Sequence, residues 1–461
     1  MIRTFDDASV LFDDPGVTFD GLYFSGPTTT NVNVFFDDGV ATEITWYVRQ
    51  VTVRRGRSRE LDTFTSGQCS IVLNNEERLF DPLYRPGPFF GKIVPRLRVQ
   101  VLSDGISLFD GFVEDWNLGY SLDRKQDAEI VCVDGLALLA QTTLDEFTNG
   151  NDTPGTRIAA VLNRSEVSYS GAVDLDGGFV VMQTDTVRDA TNTLSYLQTI
   201  ADTDQGRLFV DGSGVLQYRD RTFGVTSPVK VIFGDVDDPL VQQLGTLSDA
   251  VLWFDASGPA PLRIGATADA SVILQDAVLW FDADTPDYVA PIVPFSDVGV
   301  EIGSEFLYNR VTVTRLNGDA QVASAVDSER TFGIRALAKS NSLFLNDTEA
   351  ADFAAYLAGL YAEPQVRVKS HDVVLAATDE VRQRYVRRLE IGDLVRTVWS
   401  PYDSSPGLDV TSVVEGVEHE IAQAGVNEFH RVRLQLTPAV LGGFILDDAN
   451  DGLLDTSELT Y

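Results

Sequence analysis

The most site-like spacing in the 461-residue sequence lies near its C-terminal end. In Asp447-Asp-Ala-Asn-Asp-Gly-Leu-Leu-Asp-Thr-Ser-Glu458, residues Asp447, Asp451, Asp455 and Glu458 fall where a 12-residue calcium loop places oxygen ligands, and Gly452 falls at its sharp turn. Two features count against a cation there: Ala449 occupies a ligating position, and Gly442-Gly443 stands where an entering helix should run. The stretch is read as an acidic terminal strand or peptide, with calcium as the alternative, and no metal is assigned. Nucleophilic chemistry would have to use Cys69 or Cys132, but both sit inside strand-like alternation, where a thiol is buried and inert. Gly87-Pro-Phe-Phe-Gly-Lys92 is one residue short of a phosphate loop, its proline removes a cradling N–H, and Ile93 replaces the metal-binding hydroxyl. Carboxylate pairs such as Glu114-Asp115 say little in so acidic a chain and read as solvated strand ends. There is no Gly-x-Ser-x-Gly elbow, no His-Glu-x-x-His and no dinucleotide fingerprint, and only three histidines (His371, His419, His430). No catalytic residue and no cofactor is assigned, and the chain is read as a non-enzyme.

Composition narrows the partners. Lys and Arg number 35 against 69 Asp and Glu, a net charge of −34. Proteins that hold nucleic acid by its phosphates need a basic face, so this balance argues against that role and against a basic membrane-surface helix. Hydrophobic residues at 44% exclude global disorder, and no run of about 18 apolar residues reads as a membrane span. Two cysteines do not make a disulfide scaffold.

The charge is segregated, and its boundaries divide the chain. Residues 1–45 carry eight acids and one base and read as an acidic N-terminal arm. Residues 46–140 are balanced, and their alternating stretches (Trp46–Arg55, Gly67–Asn75, Val94–Leu102, Ser107–Trp116, Ala128–Asp134) predict strands of a small antiparallel barrel or sandwich. Residues 141–244 predict an α+β domain, with helices near Thr156–Asn163 and Asn192–Asp202 and a hairpin over Gly206–Tyr218. Residues 245–308 are an acidic insertion in which Asp249-Ala-Val-Leu-Trp-Phe-Asp-Ala recurs from Asp276, read as a duplicated strand or hairpin. Residues 309–365 continue the α+β part with a strand and a helix over 348–361. Residues 366–438 predict four strands of a second barrel, and 439–461 an acidic C-terminal extension. The fold class is mainly β with α+β insertions.

Aromatic residues in the acidic segments are the candidates for partner docking. Phe5, Phe12 and Phe19 recur every seven residues, but Pro15 and Gly16 oppose a coiled coil, so an extended arm docking on a neighbour is expected, with an arm folded back on its own barrel as the alternative. Trp253, Phe254, Trp280 and Phe281 of the duplicated segment either dock a partner or pack on the body.

Five stretches, taken in order, resemble the hub-type minor tail proteins of long-tailed bacteriophages, within the broader baseplate-hub family. They are Val53-Arg-Arg-Gly-Arg through Asn75 with Arg78-Leu-Phe-Asp-Pro-Leu; Leu108-Phe-Asp-Gly-Phe-Val-Glu-Asp-Trp with Cys132-Val-Asp-Gly-Leu; Ser195-Tyr-Leu-Gln-Thr-Ile-Ala-Asp through Phe209; Tyr308-Asn-Arg-Val-Thr-Val-Thr-Arg with Phe332-Gly-Ile-Arg; and Ile391-Gly-Asp-Leu-Val. The resemblance implies two small tube-type β-barrel domains in one chain. Three copies would then form a ring of six barrels joining a six-fold tail tube to a trimeric tip, with the α+β parts outside. It implies a homotrimer in the virion tail tip, made in the host cytoplasm. Distal tail or tube proteins would lie above it and fibre or tip proteins below, and DNA would pass without specific binding or membrane insertion by this chain. The duplicated insertion and the lack of an obvious lytic domain depart from the pattern, and wall degradation is not expected. A six-fold distal tail ring and a receptor- or glycan-binding tail protein are the alternatives. In the hub reading, lumenal acids repel DNA, and Arg54, Arg55, Arg57, Arg387 and Arg388 are expected to face outward or into subunit interfaces, paired with carboxylates.

Overall fold

The structure, a computed structural model, describes residues 30–37, 39–59, 61–120, 126–223, 227–234, 251–252, 263–265, 271–273, 290–375, 378, 380–399, 407–424 and 427–439. Fourteen strands join in one sheet. Seven come from the first part of the chain: β1 (Thr30–Asp37), β2 (Val40–Glu43), β3 (Val48–Gly56), β4 (Thr65–Asn74), β5 (Arg98–Ser103), β6 (Ile106–Leu118) and β7 (Asp127–Val133). Seven come from the later part: β8 (Val231–Gly234), β9 (Ile292–Val293), β10 (Asp297–Ile302), β11 (Val366–Val374), β12 (Leu394–Trp399), β13 (Leu408–Ala424) and β14 (Asn427–Pro438).

The first block runs β2-β1-β5-β6-β7-β4-β3, every pair antiparallel. Its strands alternate as the sequence predicts, with Val51 and Val53, Ile71 and Leu73, and Val99 and Val101 turned inward. β1 and β3 lie far apart in the order, yet Val32 and Val34 share one core with Val51 and Val53, so the sheet curls about a single interior. Phe80, held by its N–H donating to Asn75 Oδ1, stacks with Phe89 and Trp116 and is wholly buried in that core. The block begins earlier than the charge boundary at residue 45. Residues 30–37 sit in an acidic stretch, but Val32, Val34 and Phe36 alternate with polar residues and bury, and burial rather than charge decides strand membership.

The second block runs β9-β8-β12-β13-β14-β11-β10. It is not purely antiparallel, because β8 runs parallel to both β9 and β12. The long connections from Gly234 to Ile292 and on to Leu394 supply the crossovers that parallel pairs need. Its core gathers Phe233, Val368, Val395, Val414, Val417, Val432 and Leu434 under the helix Glu380–Arg387, which contributes Val386. The block thus recruits β8 to β10 from stretches that composition groups with the α+β part and the insertion.

Between the blocks lies an α+β part. Its first core joins the helices Gly135–Ala140, Pro154–Leu162 and Thr193–Asp204 with the hairpin Arg207–Val210 and Leu216–Arg219. Asn192 caps the third helix by accepting from Ser195 N. Arg157 is fully buried here and pairs with Asp152 and Asp185 while donating to the carbonyls of Gly150 and Gln183. A second core packs the helix Asp347–Leu360 on the strand Arg310–Arg315. In the insertion, Val251–Leu252 of the first repeat copy pairs with Arg263–Gly265, which pairs with Ser271–Ile273.

Candidate assembly site

The two blocks meet edge to edge through β3 and β13. Gly416 to Ala422 pair antiparallel with Gly56 to Gln50, while the earlier half of β13 uses the same edge to pair with β12. The change of neighbour falls at Glu415, where a bulge interrupts the register with β14. β13 therefore serves two interiors, with Val417 in the second core and Ile421 in the first. Burying Ile421 contributes roughly 1.5–3 kcal/mol to the union. Backbones approach closely at the bulge: Arg57 N donates to Glu415 O at 2.9 Å. Gly56 has φ of 95°, and a Cβ there would lie inside van der Waals contact of that same carbonyl oxygen. Only glycine fits both demands.

Arginines from β3 lock the joint. Arg55 occupies an inward position after Val51 and Val53, with its side chain 3% exposed. Its Nη1 pairs with Glu390 Oε1 at 2.5 Å and its Nε donates to Leu108 O at 3.1 Å. The other Glu390 oxygen accepts from Gly212 N at 3.0 Å, so one carboxylate ties both blocks to the α+β part. Glu415, nearly fully buried, accepts from Arg57 Nε at 2.9 Å on one oxygen and from Arg207 Nη2 at 2.9 Å on the other. Burial pushes the Glu415 carboxyl up, but Arg207 and Arg57 outweigh it and hold its pKa below the usual range. Arg54 pairs with Glu418 on the solvent side of the same ladder.

Behind the ladder sit the histidines. His419 Nδ1 lies 3.1 Å from His430 Nε2, both rings buried. Burial carries His430 down to about 3, with Arg387 adding to the effect. Burial, then His430, Arg55 and Arg387, hold His419 well below the ordinary 6.5. His371, against Phe233 and bonded to Thr397 Oγ1 at 2.7 Å, is also lowered to about 3 by burial, with Asp372 opposing. These imidazoles are neutral packing groups of the joint and of the second core. Among the described residues no group of three or more His, Cys, Asp or Glu is placed to hold a metal ion.

Several predicted residues lie outside the described ones: Phe5, Phe12, Phe19, Trp253, Phe254, Trp280 and Phe281, and Asp447, Asp451, Asp455 and Glu458. Cys69 and Cys132 are free thiols facing each other across β4 and β7, and burial raises the Cys69 pKa. Lys92 of the near-phosphate loop pairs instead with Asp37 at 2.7 Å. Of the five highlighted arginines, Arg54, Arg55 and Arg57 pair across an interface between two halves of one chain. Arg387 is buried near Asp104, and Arg388 is exposed. Glu390, Glu415 and Arg207 were not singled out from sequence. The available signal was an arginine at an inward position of β3, which demands a buried carboxylate that strand alternation alone does not locate.

No protein-family model and no curated protein matches the sequence. Solved structures do match. A 43 kDa tail protein of prophage MuSo2 from Shewanella oneidensis superposes with a TM-score of 0.51 at 13% identity, covering 89% of this chain and 96% of that one. A tail protein from Neisseria meningitidis MC58 gives 0.52 at 10% identity, covering 88% and 96%. The fold is that of phage tail proteins, as the ordered stretches implied. The match runs over nearly the whole length of both tail proteins.

Proposed function

We propose that the chain is a non-enzymatic structural hub of a bacteriophage tail tip. In this reading three copies form a ring that adapts a six-fold tail tube to three-fold tip proteins and lines the DNA passage. The two β-blocks are its tube-type domains, and the α+β part lies outside. The observation that carries the reading is that one chain holds two seven-stranded blocks joined edge to edge through β3 and β13. A ring of three such chains presents six blocks, the number a six-fold tube meets. The N-terminal arm docks Phe5, Phe12 and Phe19 on neighbours. The excess of acids keeps the passage from gripping phosphates.

Electron microscopy of the assembled particle tests this directly. Three chains about one axis, with both blocks facing it, are expected. Six chains in the ring would make it a distal tail ring, and a lone monomer in the particle would remove the hub reading altogether.

A further inference from the structure

The two blocks follow one plan, save that β8 runs parallel to its neighbours where β1 runs antiparallel to its own. The order β2-β1-β5-β6-β7-β4-β3 corresponds, strand for strand, to β9-β8-β12-β13-β14-β11-β10. The irregularities correspond as well. β6 bulges at Glu114, between the pairs Val113–Cys132 and Asp115–Val131. β13 bulges at Glu415, between Val414–Leu436 and Gly416–Gln435. Val113 accepts from Arg96 N and donates to Leu97 O, and Val414 does the same with Gly392 and Asp393. Arg96 and Gly392 both have positive φ, 70° and 94°. Val113-Glu114 is therefore the counterpart of Val414-Glu415. Likewise β10 is the counterpart of β3, each the outer strand beside β11 or β4.

The correspondence exposes an unfilled contact. In the second block, the edge of β13 beyond the bulge is occupied by β3. In the first block, the same edge of β6, Asp115 to Leu118, has no strand beside it among the described residues. β10 is paired on one edge only among the described residues. Apolar groups stand exposed at both places: Val300 and Ile302 on β10 are 48% and 69% exposed, and Tyr120 just past β6 is 56% exposed. Within one chain these halves are separate, so they can meet only between copies.

We propose that β10 of one copy pairs antiparallel with the far half of β6 in a second copy, repeating between chains the β3–β13 contact made within each chain. The proposal rests on the hub reading and names its subunit interface. Val51 and Val298 hold the same place, opposite Ile71 and His371, which in turn face Ile130 and Leu434. Carrying over the register Glu418–Arg54 and His419–Val53 sets Asn117 opposite Glu301 and Leu118 opposite Val300. Asn117 and Glu301 then replace the outward Arg54–Glu418 ion pair with an amide–carboxylate pair. Because the two surfaces differ, the contact is head-to-tail, and it closes into the three-chain ring when the turn per copy is one third of a rotation. Pairing also covers strand edges that would otherwise invite misassembly.

Cysteine pairing in the full-length chain tests the interface. Asn117→Cys and Glu301→Cys are installed together and singly; Cys69 and Cys132 are buried and do not compete. Under mild oxidation the double variant should give reducible covalent dimers and trimers, and an equal mixture of the single variants should give dimers only. In the unmodified protein, amides 115–118 and 298–302 should exchange at least about tenfold more slowly when associated than when diluted to monomer. Three-chain particles without cross-link and without that protection would overturn the strand pairing while leaving the hub reading intact. A six-chain ring that does cross-link would uphold the pairing and remove the trimer. A chain that stays monomeric, without cross-link, would remove both.

Discussion

Replacing Glu415 with alanine should loosen the joint between the blocks far more than its single side chain suggests. The carboxylate is 2% exposed and divides its oxygens between Arg57 and Arg207, which are 14% and 12% exposed. Truncation leaves two nearly buried cations without their shared anion, and breaking such a pair costs about 3–5 kcal/mol. The Arg54–Glu418 pair is the internal comparison. It lies on the same ladder, but Arg54 is 67% exposed, so Arg54→Ala should cost no more than about 1 kcal/mol. A chain of several cores need not unfold in one transition, so the assay is native-state hydrogen exchange at amides 50–56 and 416–422. At about tenfold per 1.4 kcal/mol, Glu415→Ala should speed their exchange by roughly 100-fold or more. Glu415→Gln, which keeps the shape without the charge, should fall between. The sign with pH follows from the depressed carboxyl. Its contribution is present above the ordinary glutamate range and is lost as pH falls through the lowered folded value, so the joint should outlast ordinary glutamate titration. If Glu415→Ala and Arg54→Ala move these amides equally, within about 1 kcal/mol of the parent, burial is not what gives the pair its strength and the reasoning fails.

Gly56→Ala should destabilise the same ladder by more than about 1 kcal/mol, because the positive φ and the nearby Glu415 carbonyl both oppose a Cβ; unchanged exchange there would contradict this. His371 and His430 are lowered to about 3, so their contribution is complete above about 6.5 and drains away as pH falls from there toward 3. By pH 4.5 each should have cost on the order of 3 kcal/mol, and urea titrations should show a steeper loss for the parent than for His371→Asn/His430→Asn. Arg157→Lys keeps the charge but not the fork that reaches two carboxylates and two carbonyls, and should cost about 3 kcal/mol by native-state hydrogen exchange of the helix Pro154–Leu162. Deleting residues 1–25 should reduce particle yield while leaving the melting of the β-blocks unchanged, and equal yields would show the arm to be dispensable.

The strands that bury one face were legible because alternation is a local signal: Val51 and Val53 in β3, or Val99 and Val101 in β5, declare their faces within a few residues. The helices ending near Asp204 and Leu360 were legible for the same reason, one from apolar residues at three-and-four spacing and the other from cap candidates before it and a proline just past its end. Residues 30–37 alternate just as plainly, but their surroundings are acidic, and grouping by charge hid them. Membership of β8 to β10 in the second block was not legible, since their partners lie scores of residues away and their short runs are ambiguous alone. The joint was half legible. Arginine at an inward position announces that a carboxylate must be near, but Glu390 and Glu415 lie 335 and 358 residues from Arg55 and Arg57. Which of 69 acids answers is a property of the fold and not of any window of sequence.

That pairing also changes what the charge count means. The β-blocks look balanced by composition, yet their arginines are largely committed inside the chain: Arg55 to Glu390, Arg57 to Glu415, Arg98 to Asp110, Arg396 to Asp409, and both Arg431 and Arg433 to Asp372. A guanidinium held against a carboxylate at hydrogen-bond distance presents a dipole rather than a charge to anything approaching from solvent, and its field fades within a Debye length of about 8 Å at physiological salt. The far field of the molecule is therefore set by the excess of acids over bases, a net charge of −34. Arginine suits this double duty better than lysine would, because its fork satisfies two oxygens or two residues at once and its charge tolerates burial. The same side chains that weld block to block also withdraw positive charge from the surface, so a firm joint and a surface that repels polyanions follow from one choice of residue.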